Sequence, residues 1–166
     1  VSVDSRRVLE RQVNRAKQLG YEIMVGTELE FFLLDPATKK PKDEGIQVYS
    51  LERASELEHV LGPIRRHLTT CGIPIEQSNP EYASGQVEVN IKYDDPLTSA
   101  DRVIMFRSLV KQIAHQHGYL ATFMPKPFLD ASGSGFHCHY SLWHKTRNIF
   151  SNNGKLSEEG EYFIGG

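Results

Sequence analysis

The chain has 166 residues, 24% of them charged, and a net charge of −2. That length suits one compact unit with a hydrophobic core. The charge balance speaks against a nucleic-acid or acidic-membrane surface, which needs a basic excess, and apolar runs such as Phe31–Leu34 are too short to span a bilayer.

In chain order, Asp4 or Ser5 can cap a first helix carrying Val8, Leu9, Val13, Ala16 and Leu19, closed by Gly20. A strand is predicted over Glu22–Leu34, followed by a lysine- and proline-rich turn at Pro36–Asp43. A second helix runs from about Glu52 to Thr70, with Leu57, Leu61, Ile64 and Leu68 at helical spacing and Gly62-Pro63 expected to kink or split it. Strands come next at Ile73–Gln77 and Gln86–Tyr93, the latter broken by Asp94-Asp95-Pro96. A third helix spans Thr98 to about His117 and ends at Gly118, before strands at Tyr119–Met124 and Phe136–Trp143. Ser157 with Glu158, Glu159 and Glu161 reads as a fourth helix start. The expected class is α+β, a mainly antiparallel sheet backed by helices. With Val1 in place of Met and a helix only beginning near the other end, we expect a piece of a longer chain. Cys71 and Cys138 lie far apart, and no charged-then-apolar leader is visible, so a cytoplasmic setting without disulfides is expected.

One device recurs three times: metal-capable residues spaced along a strand. In Gly26–Phe32 (GTELEFF) the strand period puts Glu28 and Glu30 on one face and Leu29 and Phe31 on the other. Two carboxylates that close repel unless a cation neutralises them. A solvated strand face is the plain alternative, but the surrounding IMVGTELEFFLL is too apolar for one. In EYASGQVEV, Glu88 shares its face with Gln86, and a tight Ala-Ser-Gly turn can fold Glu81 back beside it. In GSGFHCHYS, His137, His139 and Ser141 share a face, while Phe136, Cys138 and Tyr140 point the other way. Cys138 is thus no partner in a His-Cys-His zinc site, and we expect it and Phe136 to pack under the helices. His115 and His117, two apart on a helix, diverge by about 200° and cannot chelate together. A majority of carboxylates with an imidazole suits Mg²⁺ or Mn²⁺. Residue types alone leave metal-assisted phosphoryl transfer and a carboxylate-metal hydrolase both open.

Four segments in order, GTELEFF, EQSNPEYASGQVEV, FMPKP and GSGFHCHYSL, resemble the catalytic-domain motifs of the glutamine synthetase family, and the tail LSEEGEYFIGG resembles the family's next segment along the chain. The resemblance covers Tyr21 to Gly166 and implies an ATP-dependent ligase that joins glutamate to ammonia or an amine through a γ-glutamyl phosphate. Position by position, it implies that Glu30, Glu81 and Glu88 hold one Mg²⁺ or Mn²⁺. Glu28 and His137 would supply two of three ligands to a second. Glu76, His139 and Ser141 would contact nucleotide, and Ser132 and Gly133 would contact glutamate. No residue here is assigned as a catalytic acid or base. Two departures stand out: Asn79-Pro80 occupies the place of a His pair usual in glutamine-forming members, and Ser132 that of an Asn. These point to the amine- or polyamine-using branch as much as to the ammonia-using one. The resemblance further implies a homo-oligomer, with an N-terminal β-grasp domain and the C-terminal half of the catalytic domain outside residues 1–166. A non-catalytic metal- or nucleotide-binding module of the same family is the alternative, set against five metal-matching positions all chemically intact.

Overall fold

The computed structural model describes residues 4–165. Its elements run α1 (Ser5–Gln18), β1 (Glu22–Leu34), α2 (Leu51–Thr70), β2 (Ile75–Pro80), β3 (Gln86–Asp94), α3 (Pro96–Gln116), β4 (Leu120–Thr122) and β5 (Phe136–His144). Three two-residue strands, β6 (Arg147–Asn148), β7 (Ser151–Asn152) and β8 (Lys155–Leu156), precede α4 (Glu158–Gly165). The main sheet is ordered β2-β3-β1-β5-β6, with β4 attached to β1, and a second small sheet pairs β7 with β8. The β2–β3, β1–β4 and β5–β6 pairs are antiparallel, which gives the expected α+β class. Instead of one compact unit there are two. The larger comprises Thr27–Lys92 and Arg102–Cys138; the smaller comprises residues 4–26, Tyr93–Asp101 and residues 139–165. No linker composition marks the division, because it cuts through β1, β3, β5 and α3 rather than between elements.

In the larger unit, β1 and β3 each turn one face to the helices. Leu29, Phe31 and Leu33 of β1 and Val87, Val89 and Ile91 of β3 join Leu57, Val60, Ile64 and Leu68 of α2 and Phe106, Val110 and Ile113 of α3 in one core. Phe31 sits against Phe123 and Phe106, with ring centroids 5.1 and 6.3 Å away. α2 is capped by Ser50, whose Oγ accepts from Arg53 N at 3.2 Å, and it runs as a single helix through Pro63. The proline removes one backbone donor, a local cost. The buried stripe on both sides of it, Leu57, Val60, Leu61, Ile64 and Leu68, is what keeps the helix in one piece. β2 lies further along the chain than its propensities suggested. Its register against β3 pairs Ser78 with Val89, Asn79 with Glu88 and Pro80 with Val87, after an irregularity at Glu76.

In the smaller unit, Asp4 Oδ1 accepts from Arg6 N at 3.0 Å and caps α1, and Gly20 closes it at φ +83°. Asp95 Oδ1 accepts from the N–H groups of Leu97 and Thr98, which starts α3 at Pro96 rather than Thr98. Ser157 Oγ accepts from Gly160 N at 3.0 Å and caps α4, as its sequence suggested. Among the described residues, no helix is long and apolar enough to cross a membrane.

Candidate metal centre

β1 places the first two carboxylates. Leu29 and Phe31 are 3% and 0% exposed, so a one-residue slip would uncover both at about 2 kcal/mol each. That register holds Glu28 and Glu30 on the opposite face. Glu30 is fixed at both ends. Its backbone N donates to Gly135 O at 3.1 Å, and its Oε2 accepts from Gly135 N at 3.0 Å and from Gln86 Nε2 at 2.6 Å. Gly135 is required for this approach. A Cβ there would lie 2.7 Å from Glu30 Oε1 and 2.9 Å from the His137 ring.

β3 and the turn before it place the next two. Gly85 takes φ +70°, and a side chain on it would meet Leu33 O at 2.7 Å. The turn closes through Glu81 N donating to Gln86 O at 2.8 Å, so Glu81 does fold back toward β3. Glu88 is 7% exposed, and Glu81 Oε1 accepts from Asn79 Nδ2 at 2.9 Å. β5 brings His137 in from the other side: its Nδ1 lies 3.3 Å from Glu28 Oε2 and 4.0 Å from Glu88 Oε2. Ligand atoms of Glu28, Glu88 and His137 all fall within 4.8 Å of one another.

This crowding perturbs the carboxyls. Burial, then the neighbouring charge of Glu30, pushes the Glu81 carboxyl up, against a downward pull from the Asn79 amide. Burial also raises Glu88, followed by the charges of Glu28, Glu81 and Glu30, while the Asn90 amide works the other way. A carboxyl raised on folding contributes stability below its ordinary value, here 4.5, and loses that share as pH climbs through the raised value. The metal-free chain should therefore lose melting temperature as pH rises from about 4.5 toward neutral. The lowered carboxyls of Asp35, Asp95 and Asp101 act in the separate window below their ordinary 3.8. Melting curves followed by circular dichroism test this, and Glu88→Gln should flatten the slope. A slope unchanged in that variant would mean Glu88 carries no such strain.

The remaining sequence candidates are divided between the two units. Ser132, Gly133 and Glu76 lie in the larger unit, and His139 and Ser141 in the smaller. Glu76 is exposed at the β2 irregularity and lines a cleft of about 550 Å³ with Arg65, Ser78 and Glu58. Ser141 Oγ accepts from Trp143 Nε1 at 2.9 Å, and His139 packs near Gly26, where a Cβ would come within 3.8 Å of its own. Cys138 and Phe136 do not pack under helices. Cys138 is exposed and Phe136 is 56% exposed, because α2 and α3 cover β1 and β3 and leave the back of β5 open. The residue whose role sequence reasoning missed is Gln86, noted there only as sharing a face with Glu88; it is 1% exposed and hydrogen-bonded to Glu30, Gly133, Ser132 and Ala83. A signal existed: in QVEVNI the core residues alternate with Gln86, Glu88 and Asn90, a row of polar groups all buried.

Comparison with known proteins bears on this arrangement. The family profile described as "Glutamine synthetase, catalytic domain" matches residues 2–166. A glutamate–isopropylamine ligase of a Pseudomonas species is 35% identical over all of this chain and 39% of its own length. A glutamine synthetase of Halobacterium salinarum is 39% identical over 97% of this chain and 37% of its own. A solved GmaS–ADP complex superposes with a TM-score of 0.89 at 34% identity, over 96% of this chain and 39% of that one. The chain thus spans under two fifths of the length of these relatives.

Proposed function

Since this chain belongs to the glutamine synthetase family, we propose that it forms part of the catalytic domain of an ATP-dependent ligase joining glutamate to ammonia or an amine. The observation that carries this is the convergence of Glu28, Glu88 and His137 within 4.8 Å, beside Glu30 held by the glycine loop. The donor set fits a hard divalent cation, Mg²⁺ or Mn²⁺. Two buried oxygens on β2 and β3, Asn79 Oδ1 and Asn90 Oδ1, have no hydrogen-bond partner among the described residues, as expected beside a site completed by a cation and its waters. Glu30, Glu81 and Glu88 would hold one ion, and Glu28 and His137 would supply two ligands to another.

When bound, such ions supply charge neutralisation for a phosphoryl group in transfer. The chain's own residues then have distinct tasks. Glu76, His139 and Ser141 contact the nucleotide, in keeping with the ADP bound by the GmaS relative. Gly133 and Ser132 position glutamate. In the first step the γ-phosphoryl of ATP passes to the glutamate side-chain carboxylate, leaving ADP. The amine nitrogen then attacks the acyl carbon of the γ-glutamyl phosphate, inorganic phosphate leaves, and the nitrogen loses a proton. The complete protein would be a homo-oligomer, with each active site between neighbouring subunits. A cytoplasmic setting suits its two free, exposed thiols.

The preferred nitrogen donor is an organic amine. Asn79-Pro80 and Ser132 support this, and the Ser132 hydroxyl is turned inward, donating to Gln86 Oε1 at 2.7 Å. Assaying the complete protein with ATP, glutamate and a panel of ammonia, methylamine, isopropylamine and a diamine tests both levels. One amine should exceed ammonia in kcat/KM by about tenfold or more, the discrimination a few methylenes provide. Ammonia outrunning every amine would overturn the substrate preference. Phosphate release with none of them would overturn the ligase reading in favour of a binding module.

A further inference from the structure

We infer that Gln86 is a positioning residue that ties the Ser132–Gly133 loop to the Glu30 carboxylate, so that a substrate-contacting loop and a metal ligand are set by one buried amide. This rests on the roles proposed above for Glu30, Ser132 and Gly133. Gln86 Nε2 donates to Glu30 Oε2 at 2.6 Å and to Gly133 O at 2.9 Å. Its Oε1 accepts from Ser132 Oγ at 2.7 Å and from Ala83 N at 3.1 Å. A primary amide offers two N–H donors and an oxygen with two lone pairs, so its whole capacity is used. The partners also dictate which way round it sits. Ala83 N–H can only donate and Gly133 O can only accept, so a flipped amide would lose both bonds.

The backbone of Gln86 is pinned as firmly. Its carbonyl accepts from Glu81 N at 2.8 Å and from Gln47 Nε2 at 2.9 Å, and its N–H donates to Ala83 O at 2.9 Å. The side chain is 1% exposed, so water cannot take over any bond it loses. One consequence concerns Glu30: with Oε2 held by Gln86 and Gly135 N, its Oε1 is the oxygen left to face a cation. Another concerns Ser132. Its hydroxyl is spent on the scaffold, so its contribution to glutamate binding is the loop shape it enforces.

The test compares Gln86→Met, Ser132→Ala, the double variant and a Glu30→Gln control in the complete protein, reading Mn²⁺ affinity by calorimetry and KM for glutamate separately. Gln86→Met should weaken Mn²⁺ binding by about tenfold or more, the usual cost of losing an outer partner of a metal ligand, and should raise KM. Ser132→Ala should raise KM while Mn²⁺ affinity stays within about twofold. The double variant should bind glutamate no worse than Gln86→Met alone, since the hydroxyl's acceptor is already gone. Full additivity in KM would overturn the inference, because a merely structural role predicts independent losses. Mn²⁺ affinity unchanged in Gln86→Met but lost in Glu30→Gln would overturn it with the metal reading intact. Affinity unchanged in both would remove the metal reading and this inference together. Should Gln86→Met not fold, Ser132→Ala decides: an unaltered KM refutes the link.

Discussion

Saturating Mn²⁺ should raise the melting temperature of the 166-residue chain by about 5–10 °C, and Glu88→Gln should abolish most of that gain. A ligand that binds only the native state at 100 times its dissociation constant stabilises by about 2.7 kcal/mol, and at this chain size each kcal/mol moves the midpoint by about 2–4 °C. Glu88 is the residue to change because it sits in the group with Glu28 and His137 and also feels the charges of Glu81 and Glu30. Without metal its raised carboxyl opposes folding at neutral pH, so Gln at this position should leave the metal-free chain at least as stable as the parent. Glu30→Gln should behave differently. It also loses the metal-dependent gain, but it replaces the charged acceptor of the Gln86 and Gly135 hydrogen bonds, and charge-assisted bonds are about twice as strong as neutral ones. Its metal-free form should therefore melt below that of Glu88→Gln. Thermal scans with and without Mn²⁺ read all three proteins, and a parent curve indifferent to the ion would remove the metal centre.

Much of this site was legible because strands alternate. The period of two in GTELEFF and QVEVNI separates Glu28, Glu30 and Glu88 from Leu29, Phe31, Val87 and Val89, and the core confirms that division. The Ala-Ser-Gly turn was readable for the same local reason, since Gly85 takes a backbone conformation that few other residues tolerate. Alternation says which residues share a face, not what covers it. Cys138 and Phe136 were expected beneath helices and lie exposed, because coverage is set by where α2 and α3 dock. At Pro63 the split does not occur: α2 continues through it, held by a buried stripe whose partners are distant in sequence. Gln86 was noticed only as a neighbour of Glu88. Nothing in an amide's chemistry announces four partners drawn from positions 30, 83, 132 and 133. The two compact units were equally hidden, since the division falls inside continuous strands.

Purified residues 1–166 should release no phosphate from ATP in the presence of glutamate and any amine, even at saturating Mn²⁺. Phosphoryl transfer depends on holding the group in line and stabilising the charge that spreads over its oxygens, with little other chemistry for a protein to supply. The five metal-matching side chains would hold cations that neutralise part of that charge. The relatives, of which this chain spans 39% and 37%, have further length for the rest, which we propose includes the third ligand of the second ion and the arginines that grip phosphate. Removing one preorganised donor from such a site costs about 10²–10³ in rate, and removing a phosphate-stabilising arginine about 10³–10⁵. Two such losses together take a turnover of about 10 s⁻¹ to about 10⁻⁴ s⁻¹ or below, beneath a colorimetric phosphate assay. Complementation sharpens the result. If the complete protein turns over while the chain binds Mn²⁺ and stays silent, metal binding and turnover have been separated. Amine-dependent phosphate release from the isolated chain would show that these residues hold the phosphoryl group unaided, and the proposed division of labour would be wrong.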